Sequence, residues 1–199
     1  MKFKNREYAV AVSKINQHTY DIKDINFKTI PNGFTYWVAD PFPFEKDGKL
    51  YIFGEMYDYL SLKGSIAYTV MKEKGFTKWK KIIEEPFHLS FPNIFMYNGE
   101  LYMCPEARQS SELYLYKCID FPEKWKKDMV LIKNTNCSDT IFYKKDNKNY
   151  ALTCEWNRLD DHHMNLISFE NDRIFFAPKD NIKSLDNSLS RPAGKIFWD

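Results

Sequence analysis

No run of about 18 apolar residues occurs in this sequence, so no segment of it reads as a membrane span. Charge of one sign is not in excess either. The 29 basic residues stand against 27 acidic ones, for a net charge of +2. The lysines are scattered among acids as on an ordinary solvated surface, and nothing here makes the electrostatic footprint of a nucleic-acid partner. Cysteine is sparse: Cys104, Cys118, Cys137 and Cys154 form no CxxC and no paired spacing. They read as buried reduced thiols rather than disulfides or zinc ligands. The N-terminus carries Arg6 and Glu7 and an apolar stretch only from Tyr8 to Val12. That is not the pattern of a signal peptide, and a cytoplasmic location is the expectation. Neither a phosphate-cradling glycine loop nor a nucleophile elbow is present, no helix-period segment stands out, and no cofactor is expected.

Aromatic residues, by contrast, are plentiful. They make up 17% of the chain, with 16 Phe and 13 Tyr among 199 residues. Such a share suits a β-rich fold. It also suits sugar binding, although aromatics packed between sheets are the commoner use. One domain is the default for this length.

The stretch Trp37–Tyr57 organises the rest. It is an extended run, an Asp47-Gly48 turn and a second run rich in β-branched and aromatic residues. Asp-Gly between two such runs predicts a hairpin, because both turn positions favour φ > 0. Asp40 lies seven residues before Asp47 and Glu55 seven after Gly48, so the hairpin brings both carboxylates to one sheet edge. His88–Arg108 repeats the unit, with Phe91-Pro92 for Asp40-Pro41, an Asn98-Gly99 turn, and Glu106 in the place of Glu55. Asn136–Trp156 repeats it again. There Asp139, Asp146 and Tyr150 match Asp40, Asp47 and Tyr51, Cys154 takes the place of Glu55, and Glu155 falls one position later.

A fourth start is at Arg191-Pro192, and successive starts are 51, 48 and 52 residues apart. A period near 50 headed by a hairpin is the sequence signature of β-propeller blades; a β-sandwich with coincidental hairpins is the alternative. Residues 1–36 read as a lead-in with a strand near Tyr8–Ser13. Residues 37–199 read as the propeller, with blades near 37–87, 88–135 and 136–189 and a partial one over 190–199. The later strands are expected at Ile66–Met71, Trp79–Glu84, Glu112–Cys118, Met129–Lys133, Met164–Phe169 and Arg173–Ala177, followed by a loop, DNIKSLDNSL. Trp79 and Trp125 are expected to pack an outer strand onto its own blade. About three blades and the start of a fourth do not close a ring, so the propeller reads as truncated. An open sheet edge would then be available for self-association.

The segments WVADPFPFEKDGKLYIFGE, HLSFPNIFMYNGELYMCPE, FPEKWKKDMVLI, CSDTIFYKKD and SRPAGKIFWD resemble the five-bladed propeller domain of the glucosamine inositolphosphorylceramide transferase N-terminal type. That domain is related to the propellers of glycoside hydrolase family 43. The likeness covers roughly Phe34 to Asp199. It implies an all-β, five-bladed-type propeller acting on or recognising a carbohydrate or nucleotide-sugar-derived glycan, in the setting of surface-polysaccharide metabolism. In the family, SRPAGKIFWD opens a blade that continues into a further one.

Glycosidic bond hydrolysis uses two carboxyl groups, one to protonate the leaving oxygen and one to activate water or attack carbon. The resemblance places Asp40 as base or nucleophile and Asp139 as the carboxylate that tunes and positions. Glu106 is the candidate acid by hairpin geometry, with Glu155 second. Asp40 as a strand-entry cap, Asp139 as an Asx turn, and Glu55 and Glu106 as rim charges or partners of Arg108 are the structural alternatives. Arg108 and Arg191 are candidates to hold a hydroxyl, carboxylate or phosphate. Trp37 and Trp156 are candidates to stack on a sugar, and His88 to contact it. Asp160-Asp161-His162-His163 invites a metal reading, but neighbours on an extended chain point to opposite faces. A non-catalytic glycan-binding or scaffolding module is the rival to an enzyme.

Overall fold

The computed structural model describes residues 7–14, 23, 25–158, 161–169, 182–185, 191, 192 and 194. A short two-stranded ladder, β1 (Ala11–Val12) with β2 (Lys28–Thr29), precedes three antiparallel four-stranded sheets. The first sheet runs in chain order through β3 (Tyr36–Lys46), β4 (Lys49–Asp58), β5 (Lys63–Val70) and β6 (Lys80–Ile83). The second comprises β7 (Ser90–Tyr97), β8 (Glu100–Glu106), β9 (Glu112–Asp120) and β10 (Lys124–Lys133). The third comprises β11 (Cys137–Lys145), β12 (Lys148–Arg158), β13 (Asp161–Phe169) and β14 (Ile182–Ser184). A short 3₁₀ segment, Arg108–Ser110, follows the second strand of the second sheet. Each sheet is one propeller blade.

The three predicted turns close these sheets at their heads. Asp47 and Gly48 have φ of 51° and 69°, Asn98 and Gly99 have 49° and 77°, and Asp146 and Asn147 have 49° and 59°. Those pairs suit the primed turns whose twist matches a hairpin. Each head hairpin also carries a β-bulge at one repeated place: between Ala39 and Phe42, Ser90 and Asn93, and Ser138 and Ile141. The bulge residues Asp40, Phe91 and Asp139 adopt φ of 49°, 47° and 48°. Gly54 lies across from the first bulge. A side chain there would meet the Ala39 carbonyl oxygen at 2.8 Å.

Alternation along the strands sends side chains to the two faces of each sheet, and the blades stack through them. Phe42, Phe53, Ile66 and Tyr68 of blade one meet Leu89, Phe91, Met103 and Tyr114 of blade two in one cluster. Tyr102, Cys104, Leu113 and Leu115, on the other face of blade two, meet Cys137, Phe142, Ala151 and Ile167 of blade three. The far face of blade one, with Val38, Ile52, Met56 and Ala67, is covered by Val10 and Ile30 of the lead-in. Burying a Phe, Ile, Leu or Met side chain stabilises by about 1.5–3 kcal/mol, so these two interfaces and the covered face hold the blades in order. Polar ties reinforce the packing: Leu89 N–H donates to Gly64 O at 3.0 Å, and Phe142 N–H to Asn93 Oδ1 at 2.9 Å.

Three local expectations are revised. Ile182–Ser184, read as loop, pairs with Asn165–Ile167 as the fourth strand of blade three, and Arg173–Ala177 lies outside the described residues. The lead-in strand near Tyr8–Ser13 narrows to Ala11–Val12. Trp79 packs on its own blade among Val38, Ile52 and Ala67. Trp125, however, reaches across to Phe53 of blade one, edge to face at 6.1 Å. All four cysteines are free thiols, three of them buried.

Candidate functional site

The repeated bulge decides which groups converge. In register, Ala39 pairs with Glu55, Ser90 with Glu106, and Ser138 with Cys154. Each blade therefore presents a bulge residue (Asp40, Phe91, Asp139) beside a side chain from its second strand (Glu55, Glu106, Cys154). These lie at the end of the hairpin remote from its turn. The electrostatic coupling among Asp40, Glu55, Asp139, Glu106 and Arg191 places them in one neighbourhood.

Burial lifts the Asp40 carboxyl from 3.8 to about 6, helped by the neighbouring Glu55 and Asp139 charges. A hydrogen bond from the Phe91 backbone and the Arg191 charge oppose that rise. Glu106 is pushed from 4.5 to about 7, first by burial and then by Asp139, against the pull of Arg191, Arg108 and His88. Asp139 is 3% exposed, and its Oδ2 accepts a hydrogen bond from Arg191 Nε. That contact raises the arginine's own pKa. The three carboxyls are thus differentiated by surroundings: one clamped to a cation, two pushed toward the protonated form.

Glu55 is held differently. His88 Nδ1 accepts the Gly64 N–H at 3.0 Å, which assigns the ring hydrogen to Nε2. Nε2 then faces Glu55 Oε1 at 3.2 Å. The Glu55 contact, and the charges of Glu106 and Asp40, raise the imidazole pKa, while burial lowers it. Protonation at Nδ1 would also lose the Gly64 hydrogen bond. Gly64 has no room for a side chain: a Cβ there would lie 2.4 Å from Leu89 O and 2.8 Å from His88 Cε1. The sequence signal for this latch is a glycine inside the strand pattern of LKGSIAY, the mark of a close backbone approach. Reading for carboxylates alone passes over it.

The aromatic candidates are already engaged. Trp37 stacks on Tyr57 at 4.7 Å and 8°, and Tyr8 tilts against it at 5.1 Å. Trp156 stacks on His162 at 4.6 Å, donates Nε1–H to Ser138 Oγ at 2.8 Å, and has Arg108 and Arg191 over its ring at 5.2 and 5.9 Å. Glu155 is separated from the convergent group. It pairs in register with Cys137 and His163, accepts from Asn165 Nδ2 at 2.7 Å, and lies 3.8 Å from His163 Nε2. Strand alternation accounts for this, since Cys154 takes the face that Glu106 takes in blade two. His162 and His163 likewise go to different partners, Trp156 and Glu155, and Asp160 lies outside the described residues. Among the described residues no group of three or more His, Cys, Asp or Glu is arranged to hold a metal ion.

A cleft of about 400 Å³ opens beside the first blade, walled by Tyr8–Ala11 on one side and by Trp37, Asp40 and Glu55 on the other. Among the described residues no helix is long and apolar enough to cross a membrane.

Comparison with known proteins gives the fold and the family. Glucosamine inositolphosphorylceramide transferase 1 of Arabidopsis thaliana is 36% identical over 117 residues, which is 57% of this chain and 15% of that protein. The protein of that name in Oryza sativa subsp. indica is 35% identical over 99 residues, 48% of this chain and 13% of its own length. The chain therefore spans about a seventh of the curated relatives it matches. Among solved structures, the endo-arabinase from Bacteroides thetaiotaomicron superposes with a TM-score of 0.61 at 15% identity, covering 80% of this chain and 69% of that one. An alpha-L-arabinofuranosidase from Lactobacillus brevis gives 0.58 at 12% identity, covering 81% and 60%. At such identities the likeness is one of fold, the five-bladed propeller of these glycosidases. Residues 21–186 match the family model described as "Glucosamine inositolphosphorylceramide transferase 1, N-terminal", and since this is most of its length, the chain belongs to that family.

Proposed function

We propose that this propeller unit acts on a glycosidic bond, with Asp40 as base or nucleophile, Glu106 as acid and Asp139 as the positioning carboxylate. The observation that carries the reading is the pair of carboxyls lifted to about 6 and about 7 beside a third that is clamped by Arg191. Near neutral pH, Asp40 is then mostly ionised while Glu106 is protonated in a substantial fraction. That is the division of labour that cleavage of an acetal needs. Water as acceptor gives hydrolysis, and a sugar or inositol hydroxyl gives transfer. The name of the curated relatives, a transferase, supports the second acceptor, and the glycosidase fold supports the first.

The second reading is a glycan-binding module without turnover, and Phe91 at the bulge position of blade two does not decide between the two. A panel of 4-nitrophenyl glycosides, arabinofuranoside included, separates the two. Under the first, at least one is cleaved, and Asp40→Asn lowers that rate by about 10³-fold or more, the scale on which acid–base groups act, while binding is largely kept. Cleavage that survives Asp40→Asn removes Asp40 from the chemistry. If no glycoside or glycan is turned over but one is bound, the module reading stands alone.

A further inference from the structure

Residues 7–14 lie outside the stretch that matches the family, yet they wall the cleft that reaches Asp40 and Glu55. Their position is built, not incidental. Asn32 bridges lead-in and blade: its Nδ2–H donates to Tyr8 O at 2.7 Å, and its Oδ1 accepts Val38 N–H at 3.1 Å. Ile30 N–H donates to Val10 O at 2.8 Å, and Ser13 Oγ–H to Asn26 O at 2.8 Å. Val10, 2% exposed, is sunk into the far face of blade one beside Val38 and Met56. Tyr8, fixed at its backbone, is 48% exposed, with its ring tilted against Trp37.

We propose that Tyr8–Ala11 is a ligand-contacting, specificity-determining wall of this cleft, and that the cleft takes a sugar ring bearing no negative charge. The inference rests on the carbohydrate reading and names the class of ring admitted. An exposed aromatic edge beside a hydrogen-bonding carboxylate fits a ring with one apolar face and neutral hydroxyls. The charge selection follows from the lining. Its acidic side chains are Asp40 and Glu55, and no described cation lines it. His88 pairs with Glu55 at 3.2 Å without lining the cleft, while Arg191 is committed to Asp139 and stands with Arg108 at Trp156 of blade three. A carboxylate or phosphate on the ring would meet the two lining carboxylates first, since His88 is engaged by Glu55 and Arg191 by Asp139 and neither lines the cleft.

The test is a titration of the ¹⁵N-labelled full chain with methyl glycosides of glucose, galactose and arabinose, and with glucuronate as the anionic counterpart. A neutral glycoside should shift the amides of Ala9–Ala11 and the Trp37 indole N–H, and glucuronate should leave them in place. Tyr8→Ala, at a half-exposed site where the backbone tie to Asn32 is kept, should weaken binding at least fivefold, and Tyr8→Trp should restore it. Shifts confined to Glu106, Arg108 and Arg191 sink this inference and leave the carbohydrate reading standing, as does undiminished binding by Tyr8→Ala. Glucuronate bound as well as the neutral sugars overturns the charge selection. A chain that responds to none of these sugars overturns the inference and the carbohydrate reading together.

Discussion

The residue with the least freedom near the site is Gly64, which carries no charge. Its N–H orients His88, its carbonyl ties down Leu89, and a methyl group on its Cα would collide with the Leu89 carbonyl oxygen. Gly64→Ala should therefore destabilise the chain by roughly 1–3 kcal/mol through overpacking against backbone that cannot give way. Urea unfolding measures that cost. In the same variant, ¹⁵N spectra of the imidazoles should show His88 losing its fixed Nε2–H form, because the N–H that selects the tautomer moves. A His88 spectrum unchanged in Gly64→Ala would mean that the ring is held by Glu55 alone. Carboxylates at candidate positions could be read from the sequence because they recur with the repeat. The pairing within the latch could not, because Glu55 and Gly64 lie on different strands and His88 in the connection between blades, and the repeat does not bring them together.

At the scale of the element, the head hairpin with its bulge explains most of what was legible. Turn pairs with positive φ fix the register, and the register carries Asp40, Glu55, Glu106, Asp139 and Cys154 to one end of their blades. The bulge itself was not legible. Nothing in ADPF or SDTI announces a left-handed residue, except that Asp tolerates that conformation. Phe91 does not tolerate it well, with φ of 47° in a bulky residue. What keeps it there is packing: it is 5% exposed and meets Phe42 edge to face at 4.8 Å. Phe91→Asp, which restores the residue type of the other blades, should relieve the backbone yet lose about 3–5 kcal/mol of core packing, with a matching fall in the urea midpoint. The third head turn offers the opposite case. Asn147 has φ of 59° where the other two hairpins use glycine, so Asn147→Gly should be neutral to stabilising by up to about 1 kcal/mol. A clear loss of stability there would mean that the Asn147 side chain is part of the turn.

At the scale of the whole molecule, the stacking of the blades creates the site and sets its cost in stability. Blade order and the alternating faces were legible from a period near 50. The coverage of blade one by Val10 and Ile30 was not, because a lead-in of mixed composition carries no periodic signal. Partial burial between the blades, together with neighbouring carboxylates, lifts Asp40 and Glu106 to about 6 and about 7. In the unfolded chain both titrate near 4. The folded chain therefore holds protons that the unfolded chain has released. The stability these groups contribute is complete below about pH 4 and is lost as pH rises through 6 and 7. Glu84, Glu112 and Glu123, lowered by lysine partners at the surface, act with the opposite sign, but only below their ordinary range. Their effect is confined to the acid end, below about pH 5, and is common to the native chain and to variants at Asp40 and Glu106. The paired variant Asp40→Asn with Glu106→Gln should accordingly be more stable than the native chain at pH 8, by on the order of 2 kcal/mol after allowing for partial solvent screening. It should lose that advantage at pH 4. Chemical denaturation at the two pH values measures the difference directly. An equal stability change at both would mean that the two carboxyls titrate together with the unfolded chain, and that the partial burial does not perturb them.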